Sequence, residues 1–532
     1  MIRWDLVFPV FLMYAVVVVL VSFGLKKVKT SLDYMLAGRQ LGYKLLIPHI
    51  IGAFFGAGST IGVASLAYMW GLGGAWYNMA EAVGLWILAA LFARRLWHLG
   101  RKLEFVTLPD LLKLYYGNKF RVLTGLFIGM GYMSWVAGQI VGGGRVLEEV
   151  TGFPLLPAIL ISAALIAFYA GFGGLFGSVL ADLIFGSATV IGALFVAPLL
   201  VHYLGGWEAL VSKLPEGYTS FFWLGETNPK WGLIGWTSIK NLLWYILVFT
   251  PAFAIGQLNI QRIYASKSED VAFGMSTFIA SYVFLQPVFF AVIGMIAYAM
   301  NPSLPHRDLA APWVMANVMP YYLAIIFLAS LIGVVMSCAA GGLNTATASF
   351  VRDVWKYYNP ELDELKAGRI VSGIIMVLSL IFAILLPDVV KWLALGFTLM
   401  GIGLFIPTLV LFLRKGKPWK WATPTGALWS TAIGGAAAII WFTLSRTVGG
   451  VFAKWHPIFI GLPIEAVLFF AISRATSHEI EDIEEKNPQL KIVQEIMEEI
   501  HPETRKEGIG TVIFILTALF TLFVLPKLFA LL

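Results

Sequence analysis

The chain has 532 residues, of which 59% are hydrophobic and 13% charged, and its net charge is +7. A soluble protein of this length cannot bury so large an apolar fraction, so the composition indicates a polytopic membrane protein. Lys- and Arg-rich cytoplasmic loops explain the positive charge without a nucleic-acid partner, and the single cysteine, Cys338, excludes internal disulfides and cysteine-based metal clusters.

Apolar runs of membrane-spanning length predict an all-α fold with 14 transmembrane helices. The first run follows a short head and has no small-residue cleavage pattern, so we expect a retained helix and no cleavable signal peptide. The predicted spans are 7–25, 45–70, 74–98, 122–147, 155–175, 179–204, 236–260, 271–299, 318–350, 369–387, 389–413, 422–444, 457–473 and 509–530.

The second predicted span contains the most informative stretch of the chain, GAFFGAGST at 52–60. Closely spaced glycines, other small residues and two hydroxyls make a poor helix interior. In a bilayer, an unwound backbone is tolerated only where it lines a cavity or is buried in protein. Secondary transporters build their substrate and ion sites on helices broken at this depth. This stretch therefore predicts transport.

Ionisable residues inside spans are the next candidates for function. Asp182 follows a glycine-rich segment, 171–174, which predicts a hairpin, so Asp182 should begin the sixth helix. Its carboxylate is either an interfacial charge or part of an ion or proton path. His49 and Glu81 also lie within predicted spans, and for both a structural role and a functional role remain open.

A second interruption indicates an internal repeat. Thr250-Pro251 and Gly256 should break the seventh helix, because proline removes a backbone donor and clashes with the preceding turn. This helix comes five helices after the first broken one, and an odd offset inverts the second unit relative to the first. We therefore expect one transporter domain over 1–532. Its extra N-terminal helix is 7–25, its repeats are 45–204 and 236–413, its accessory helices occupy 422–530, and its cytosolic segment is 474–508.

The ninth helix presents hydroxyl and amide oxygens on one face. Ser337, Gly341 and Asn344 follow helical spacing. Oxygen ligands of this kind suit a hard cation such as Na⁺. A small-residue packing face is the alternative, and spacing alone favours it.

The distribution of Lys and Arg predicts the orientation. Most of the 37 basic residues fall in loops that lie inside if the N-terminus is outside. We therefore expect a multi-pass plasma-membrane protein with both termini extracellular and with 205–235 and 300–317 capping an outer vestibule. The inner segment 478–507 should contain a connector helix, with an apolar face formed by Leu490, Val493, Met497 and Ile500. A regulatory docking site is the alternative role for this segment.

Several segments together resemble the sodium:solute symporters, a family that includes bacterial proline, pantothenate and acetate permeases and the sodium–glucose cotransporters. LDYMLAGRQLG resembles the family's segment before its first core helix, and TLPD resembles its T-x-P-[DE] segment. GQLNIQRIYA resembles its Q-x-x-x-Q-R segment, and VMSC followed by RDV resembles its [AV]-M-S-[ST] … D segment. These segments lie, in order, at 32–42, 107–110, 256–265, 335–338 and 352–354.

The resemblance implies a leucine-transporter-like fold, with inverted five-helix units in helices 2–6 and 7–11, and a sodium site between helices 2 and 9. Carried over by position, Gly52, Phe55 and Val334 would supply carbonyl oxygens and Ser337 a hydroxyl. Cys338 stands where the family has Ser or Thr, and a thiol is a weaker partner for Na⁺. The resemblance thus implies Na⁺ as coupling ion, while Cys338 leaves H⁺ open.

A second departure from the family lies at Asp182. The family commonly has T-D-x-x-Q there, whereas this chain has ADLIF at 181–185. Only the acid is retained, so the polar path beside it should be narrower or less hydrated.

The solute contacts implied by the fold are lightly polar and aromatic. They fall at Ser59, Thr60, Asn78, Phe249 and Phe253. A sugar would leave hydroxyls unpaired at a cost of ~1–3 kcal/mol each. An amino acid such as proline, or a small monocarboxylate, suits the free N–H groups of a broken helix better. Lipid-facing packing is the alternative for the two phenylalanines.

The leading interpretation is a sodium-coupled symporter that acts by alternating access. A proton-coupled symporter of the same fold and a membrane sensor without transport are the alternatives. An enzyme is not expected, because the sequence has no paired acids or nucleophile–base spacing. We expect no cofactor, no nucleic-acid partner and no obligatory protein partner beyond the bilayer and a small-molecule solute.

Overall fold

The computed structural model describes residues 3–22, 30–225, 235–481, 483–500 and 504–532. Over these residues the chain is helical, and its only β pairing is an isolated bridge between Leu41 and Ser266. Ten of the described helices are long and apolar enough to cross a membrane, or up to 11 if a bent pair forms one span. The predicted all-α membrane fold is confirmed at this level.

The described helices fall into three consecutive groups. The first comprises α1 Trp4–Ser22, α2 Ser31–Leu36, α3 Tyr43–Phe54, α4 Val63–Trp70, α5 Trp76–Ile87, α6 Ala93–Lys102, α7 Leu108–Thr151, α8 Leu155–Tyr203 and α9 Trp207–Val211. The second comprises α10 Trp236–Ala254, α11 Gln257–Ala265, α12 Glu269–Leu285, α13 Pro287–Met300, α14 Ala310–Asn317, α15 Tyr321–Ala348, α16 Lys356–Tyr358, α17 Glu364–Leu385 and α18 Val389–Leu413. The third comprises α19 Pro424–Thr447, α20 Val451–Lys454, α21 Ile458–Ala475, α22 Ile483–Lys486, α23 Gln489–Glu499, α24 Thr504–Leu519 and α25 Leu525–Phe529.

The predicted break in the second span is present. Helix α3 ends at Phe54, and the chain resumes in a single π-helical segment, Gly58–Gly62, that leads into α4. The two parts are bent by 59° relative to each other. Short π-helical segments often occur at functional positions of helices, and this one contains both hydroxyls singled out from the sequence.

The second break is also present, but the proline does not cause it. Helix α10 continues through Pro251 to Ala254, and the backbone leaves the helical region at Gly256 (φ −59°, ψ 115°). The prediction that Thr250-Pro251 interrupts this helix was therefore wrong, because membrane helices tolerate proline where neighbours satisfy the freed backbone. The two breaks face each other, since the rings of Phe54 and Phe253 lie 5.6 Å apart.

Helix α8 includes the glycines at 171–174 that we predicted to form a hairpin loop. Asp182 therefore lies inside this helical run and does not begin a new helix. Leu165 shares a small cleft with Ile332, and Phe185 packs against Gly333 on the same helix, α15. Residues from both ends of this run therefore contact α15.

The count of 14 spans and the five-plus-five repeat stay predictions. The first predicted span, 7–25, extends beyond α1 into residues that the structure does not describe. The spans 45–70 and 74–98 fall in the bent pair, and 155–175 and 179–204 share α8. Together, these three cases account for the difference between the 14 predicted spans and the 11 that the described helices can form.

The accessory helix α23 lies on the predicted inner end of the bundle. Leu490, Val493 and Met497 are fully buried, as their predicted apolar face requires. Gln494 Nε2 donates a hydrogen bond of 3.2 Å to the Gly416 carbonyl, in the turn after α18. The structure thus supports the connector helix, because three of the four residues of its predicted apolar face are buried and Ile500 is partly buried.

The orientation predicts which exposed lysines a membrane-impermeant reagent can reach. In a Cys338→Ser background, a cysteine at Lys213 should be labelled in intact cells, and a cysteine at Lys491 only after permeabilisation. Both lysine side chains are exposed, so a difference in labelling reports the side of the membrane. Labelling at position 491 in intact cells would show that the predicted orientation is inverted.

Candidate ion and solute site

Side chains of the broken helix and of α7 satisfy several backbone groups at the break. The Ala57 N–H donates to Gln139 Oε1 on α7 at 2.7 Å, and Ser59 Oγ donates to the Phe54 carbonyl at 3.0 Å. Thr60 Oγ1 donates to the Gly56 carbonyl at 2.7 Å. The hydroxyl hydrogen of Thr60 is therefore engaged within its own helix and is not available for the solute contact predicted for it.

Asp182 lies fully buried beside the break, so the interpretation of this acid as an interfacial charge was wrong. Its Oδ2 is 2.8 Å from His49 Nδ1, and both side chains have no solvent exposure. Gly52 packs directly on this carboxylate, since a Cβ added at Gly52 would lie 2.1 Å from Asp182 Oδ1. That Oδ1 atom has no hydrogen-bond partner in the described part of the chain. The absence of a side chain at Gly52 thus lets the acid reach the helix backbone.

Helix α15 brings Ser337 to the same place. Ser337 interacts with Asp182 across the interface, yet its buried Oγ lacks a well-aligned hydrogen-bond partner among the described residues. Cys338 lies against the break itself, because a Cβ added at Gly56 would be 2.5 Å from its sulfur. Trp135 Nε1 donates to Cys338 Sγ at 3.1 Å. Cys338 therefore faces the broken helix, and Ser337 faces the carboxylate that packs on that helix.

The three carbonyls predicted to bind Na⁺ differ in whether they already accept a hydrogen bond within a helix. Gly52 is in the last turn of α3, where carbonyls lack the following amides of a continuous helix. Phe55 is the non-helical residue after that turn (φ −86°, ψ 45°). Val334 lies inside the continuous helix α15, so its carbonyl already accepts an intrahelical bond and retains only its second lone pair.

The predicted solute residues Ser59 and Asn78 are brought together. Asn78 Nδ2 donates to Ser59 Oγ at 2.9 Å and to Glu81 Oε2 at 2.6 Å, and all three side chains are buried. Asn78 Oδ1 has no partner within the described residues. Glu81 is therefore an integral part of this polar group, although the sequence left its role open.

Phe249 and Phe253 lie inside the bundle, so the lipid-facing alternative was wrong. Phe249 packs on Tyr77 with ring centroids 4.5 Å apart, and Phe253 packs on Phe397 at 4.8 Å. Phe253 also lines a narrow cleft with Asn259. The aromatic pair therefore forms part of the wall between the two helix breaks.

A buried cation that sequence reasoning missed lies between the breaks. Arg262 is fully buried, and its Nε and Nη2 have no partner among described residues. Its guanidinium approaches Gly341 on α15, and its charge acts on Asp182. The signal was available, because Arg262 belongs to the Q-R pair of the segment 256–265.

Gln139 and Trp135 were also missed as site residues, whereas His49 was a candidate whose role the sequence left open. His49 is an ionisable residue within a span, which is by itself a functional signal. Gln139 and Trp135 carry no such signal, because they contact the break only through the packing of α7.

The segments 107–110 and 352–354, which resemble family motifs, are hydrogen-bonded to each other at the predicted inner end of the bundle. Asp110 accepts hydrogen bonds from Arg121 at 3.0 Å and from Arg352 at 2.9 Å. Asp353 accepts from Thr107 at 2.7 Å and from Arg121 at 3.2 Å. These bonds tie the N-terminal part of α7 and its N-cap Thr107 to the π-helical segment Ser349–Trp355, which follows α15.

The segments 32–42 and 256–265 extend this closure. The Leu41 N–H donates to the Ala265 carbonyl at 3.1 Å, and Arg39 Nη2 donates to the Phe105 carbonyl at 3.1 Å. Gln257 Oε1 accepts from the Leu108 N–H at 2.8 Å. We refer to these bonds and those around Asp110 and Asp353 as the inner closure.

Comparison with known proteins gives one consistent result. The profile of the sodium:solute symporter family matches residues 34–434. The chain is 27% identical to the sodium/pantothenate symporter of Haemophilus influenzae over 469 residues, which cover 86% of this chain and 92% of that protein. It is also 27% identical to the sodium/glucose cotransporter of Vibrio parahaemolyticus over 428 residues, 75% of this chain and 77% of the relative.

A solved structure supports the fold. The substrate-bound, outward-open structure of a Na⁺-coupled sialic acid symporter superimposes with a TM-score of 0.68, covering 88% of this chain and 97% of that one at 18% identity. At this level of identity, the similarity concerns the helical arrangement alone.

Proposed function

Because the chain belongs to the sodium:solute symporter family, whose members are transporters and not enzymes, we propose that it couples the entry of Na⁺ to the uptake of a small organic solute. The proposed mechanism is alternating access around the two facing helix breaks. One unit of five helices would begin at α3 and the inverted second unit at α10.

The observation that carries the ion proposal is a pair of unpartnered buried oxygens at the first break. Ser337 Oγ and Asp182 Oδ1 each lack a well-aligned hydrogen-bond partner in the described chain. Asp182 packs on Gly52, and Ser337 interacts with Asp182. A buried polar atom without a partner costs free energy, and a hard cation is bound by oxygen atoms. Na⁺ at this position would satisfy both.

We propose that Na⁺ is held by the carbonyls of Gly52, Phe55 and Val334 and by the hydroxyl of Ser337, with Cys338 at the edge. The thiol already accepts a bond from Trp135 and is a weak ligand for Na⁺. Asp182, through which the ion would enter or leave, offers a carboxylate in place of the missing hydroxyl. This carboxylate supports Na⁺ coupling despite the thiol at position 338.

For the solute, we propose a monocarboxylate or an amino acid such as proline. The wall formed by Phe249, Phe253 and Asn78 has few groups to pair sugar hydroxyls. Pantothenate, the solute in the name of one relative, is itself a monocarboxylate. Ser59 and Asn78 would hold the polar end of the solute, and the aromatic rings its apolar part.

Alternating access requires that one end opens while the other is closed. The inner closure joins α7, α11 and the segment Ser349–Trp355 after α15, which corresponds to a closed inner side. Na⁺ between α3 and α15 would favour the state in which these helices are close, since a ligand shifts an equilibrium only by binding one state better. Release of Na⁺ near Asp182 would then accompany opening of the inner end.

Uptake into proteoliposomes tests this proposal. Labelled pantothenate, proline, lactate and glucose are offered with an inward Na⁺ gradient, an inward H⁺ gradient or neither. We expect at least one carboxylate-bearing solute to accumulate only with the Na⁺ gradient. Accumulation driven by the H⁺ gradient alone would favour the proton-coupled alternative. If no solute accumulated with either gradient, symport would be refuted.

The polar group around Asn78 should control apparent affinity. Asn78→Ala removes the donor shared by Ser59 and Glu81, and we expect the KM for the transported solute to rise about tenfold. Phe253→Ala should enlarge the adjacent cleft and widen the range of accepted solutes. As a control, Asn317→Ala changes an exposed asparagine on α14 and should leave KM unaltered. Unchanged kinetics in both site variants would show that the solute binds elsewhere.

A further inference from the structure

The accessory helices contain a buried acid that the proposed transport mechanism does not use. Glu465 lies near the middle of α21 and is the only charged residue between 458 and 473. Its side chain is 0% exposed, and neither carboxyl oxygen has a hydrogen-bond partner among the described residues. An ionisable side chain at the centre of a membrane helix is costly, so its presence indicates a functional site.

Glycines bring α19 and α21 into direct contact at this acid. A Cβ added at Gly434 would lie 2.8 Å from the Glu465 Cβ and 2.9 Å from the Gly461 carbonyl oxygen. A Cβ added at Gly461 would in turn lie 2.8 Å from the Gly434 carbonyl oxygen. The two backbones therefore touch, which leaves no room for water between them at the level of the Glu465 Cβ.

Helices α18 and α7 complete the packing around this contact. A Cβ added at Gly461 would lie 2.4 Å from Ile402 Cδ1 on α18. The ring of Phe127 on α7 fits between Gly435 and Gly403, because a Cβ added at these glycines would lie 2.3 Å and 2.5 Å from ring atoms. The acid is therefore at the junction between the accessory pair and the last helix of the second proposed unit.

The helices packed on the accessory pair carry no charged residue over their middle parts. These helices are α7, α10 and α18. Together with α19, they are free of charged residues over 122–144, 241–254, 392–413 and 424–445. Arg474, at the other end of α21, is about 13 Å along the helix from Glu465, and Arg121 of α7 is bound to Asp110 in the inner closure. No cation from these segments can therefore pair with the carboxyl.

Two tyrosines are the titratable residues within these ranges, and both are engaged elsewhere. Tyr132 Oη accepts a hydrogen bond of 2.9 Å from the Leu258 N–H on α11. Tyr245 stacks on Phe249 with ring centroids 6.0 Å apart, in the wall of the proposed solute site. The protonation of Glu465 is therefore not set by a neighbouring ionisable group.

A metal cation does not suit this position, because too few oxygen atoms are available. The two hydroxyls nearest to Gly434 along α19 are already engaged: Ser430 donates to the Ala427 carbonyl at 3.2 Å and Thr431 to the Gly403 carbonyl at 3.5 Å. Hard cations take about six oxygen ligands. An unpaired carboxylate in an apolar interior costs far more than a neutral acid, and a proton removes that charge without needing space.

We propose that Glu465 is a proton-binding site, and that the bound proton keeps α19 and α21 packed against α18. The proposal goes beyond sodium-coupled transport, because this acid lies outside both proposed five-helix units. A neutral carboxyl is compatible with the close contact of the glycines. An ionised carboxylate requires hydration, and water could enter only by separating the helices.

Infrared difference spectroscopy of the purified full chain at neutral pH tests whether the proton is bound. The C=O stretch of a carboxylic acid is distinct from the stretches of a carboxylate. Subtracting the spectrum of Glu465→Gln from that of the unaltered chain isolates one carboxyl, since other buried acids such as Glu81 cancel. We expect the loss of one carboxylic-acid band in choline buffer, and the same loss when Na⁺ replaces choline. Absence of this band in choline, or its removal by Na⁺, would overturn the proposal.

Glu498→Gln is the matched control for this measurement. Glu498 is exposed on α23, and its hydrogen bond with Lys417 holds the pKa of the carboxyl below its usual value. This group is therefore ionised at neutral pH, and its difference spectrum should show the loss of carboxylate bands with no acid band. Difference spectra of the same kind from both variants would contradict a specific proton site at Glu465.

The pH dependence of the melting temperature tests whether the proton holds the helices together. If the folded chain retains a proton that a hydrated carboxyl releases, unfolding releases that proton and stability falls as pH rises. Relative to Glu465→Gln, whose amide does not titrate, the unaltered chain should melt at progressively lower temperature from mildly acidic to mildly alkaline pH. A constant difference between the two melting temperatures would overturn the proposal.

A second variant keeps both measurements decisive. If Glu465→Gln does not fold, Glu465→Met replaces it, because its neutral side chain needs no hydrogen-bond partner. Both measurements are made without solute and without a Na⁺ gradient. A failure of sodium-driven uptake would therefore refute the proposed function and leave the result for Glu465 standing.

Discussion

Gly52→Ala is expected to abolish sodium-driven uptake. A methyl group at Gly52 would lie 2.1 Å from Asp182 Oδ1 and 2.4 Å from its carboxyl carbon, so the acid must move away from the break. Asp182 would then be displaced from Ser337 and from His49, which it contacts at 2.8 Å. Because misplacement by 1 Å can reduce activity about a hundredfold, initial uptake rates in proteoliposomes should fall by at least that factor.

Gly62→Ala is the matched control for this variant. Gly62 lies in the same broken helix, and its added Cβ would be 3.4 Å from the nearest atom, a methyl group of Val390. That distance is ordinary van der Waals contact, so uptake should be nearly unchanged. If both variants transported equally well, the contact between α3 and Asp182 would have no role in the ion site.

Ser337→Ala and Cys338→Ser should change the half-saturating Na⁺ concentration of uptake in opposite directions. Ser337→Ala removes an unpartnered hydroxyl beside the break, and alanine fits this small-residue face without a clash. We expect the half-saturating Na⁺ concentration to rise about tenfold. Cys338→Ser supplies a harder oxygen ligand, and one added contact of about 1 kcal/mol corresponds to about a fivefold lower half-saturating concentration.

Sodium titration of initial uptake rates distinguishes a ligand from a packing residue. A packing role predicts changes in melting temperature or expression with an unaltered sodium dependence. Ser430→Ala is a suitable control, because Ser430 is a buried helical serine on α19 whose hydroxyl bonds the Ala427 carbonyl. The same sodium dependence in all three variants would exclude α15 from the ion site.

The breaks could be predicted because their cause is local. Glycines and small residues at 52–60 disfavour a helix whatever surrounds them, and the structure places the first break there. The proline of α10 shows the limit of the same reasoning. Proline is a local signal, but whether it ends a membrane helix depends on neighbouring helices, and α10 continues through Pro251.

The partners within the site could not be predicted, because they come from distant parts of the chain. His49 and Asp182 are separated by 133 residues, and Ala57 and Gln139 by 82. Helical periodicity assigns a face to each residue but not the helix that covers that face. Thr60 illustrates the consequence, since its hydroxyl was predicted to contact solute and instead donates to Gly56.

The inner closure sets an energetic condition on the transport cycle. Each of its bonds contributes about 1 kcal/mol net once water replaces the lost partner, so opening this end costs several kcal/mol. No ligand can supply that amount unless it binds the inward-open state better by the same margin. Because Na⁺ between α3 and α15 would favour the closed inner end, the solute must supply this margin, and with Na⁺ alone the inner end stays closed. The segments by which the family is recognised, including Asp110 and Arg352, would then determine how little Na⁺ leaks across without its solute.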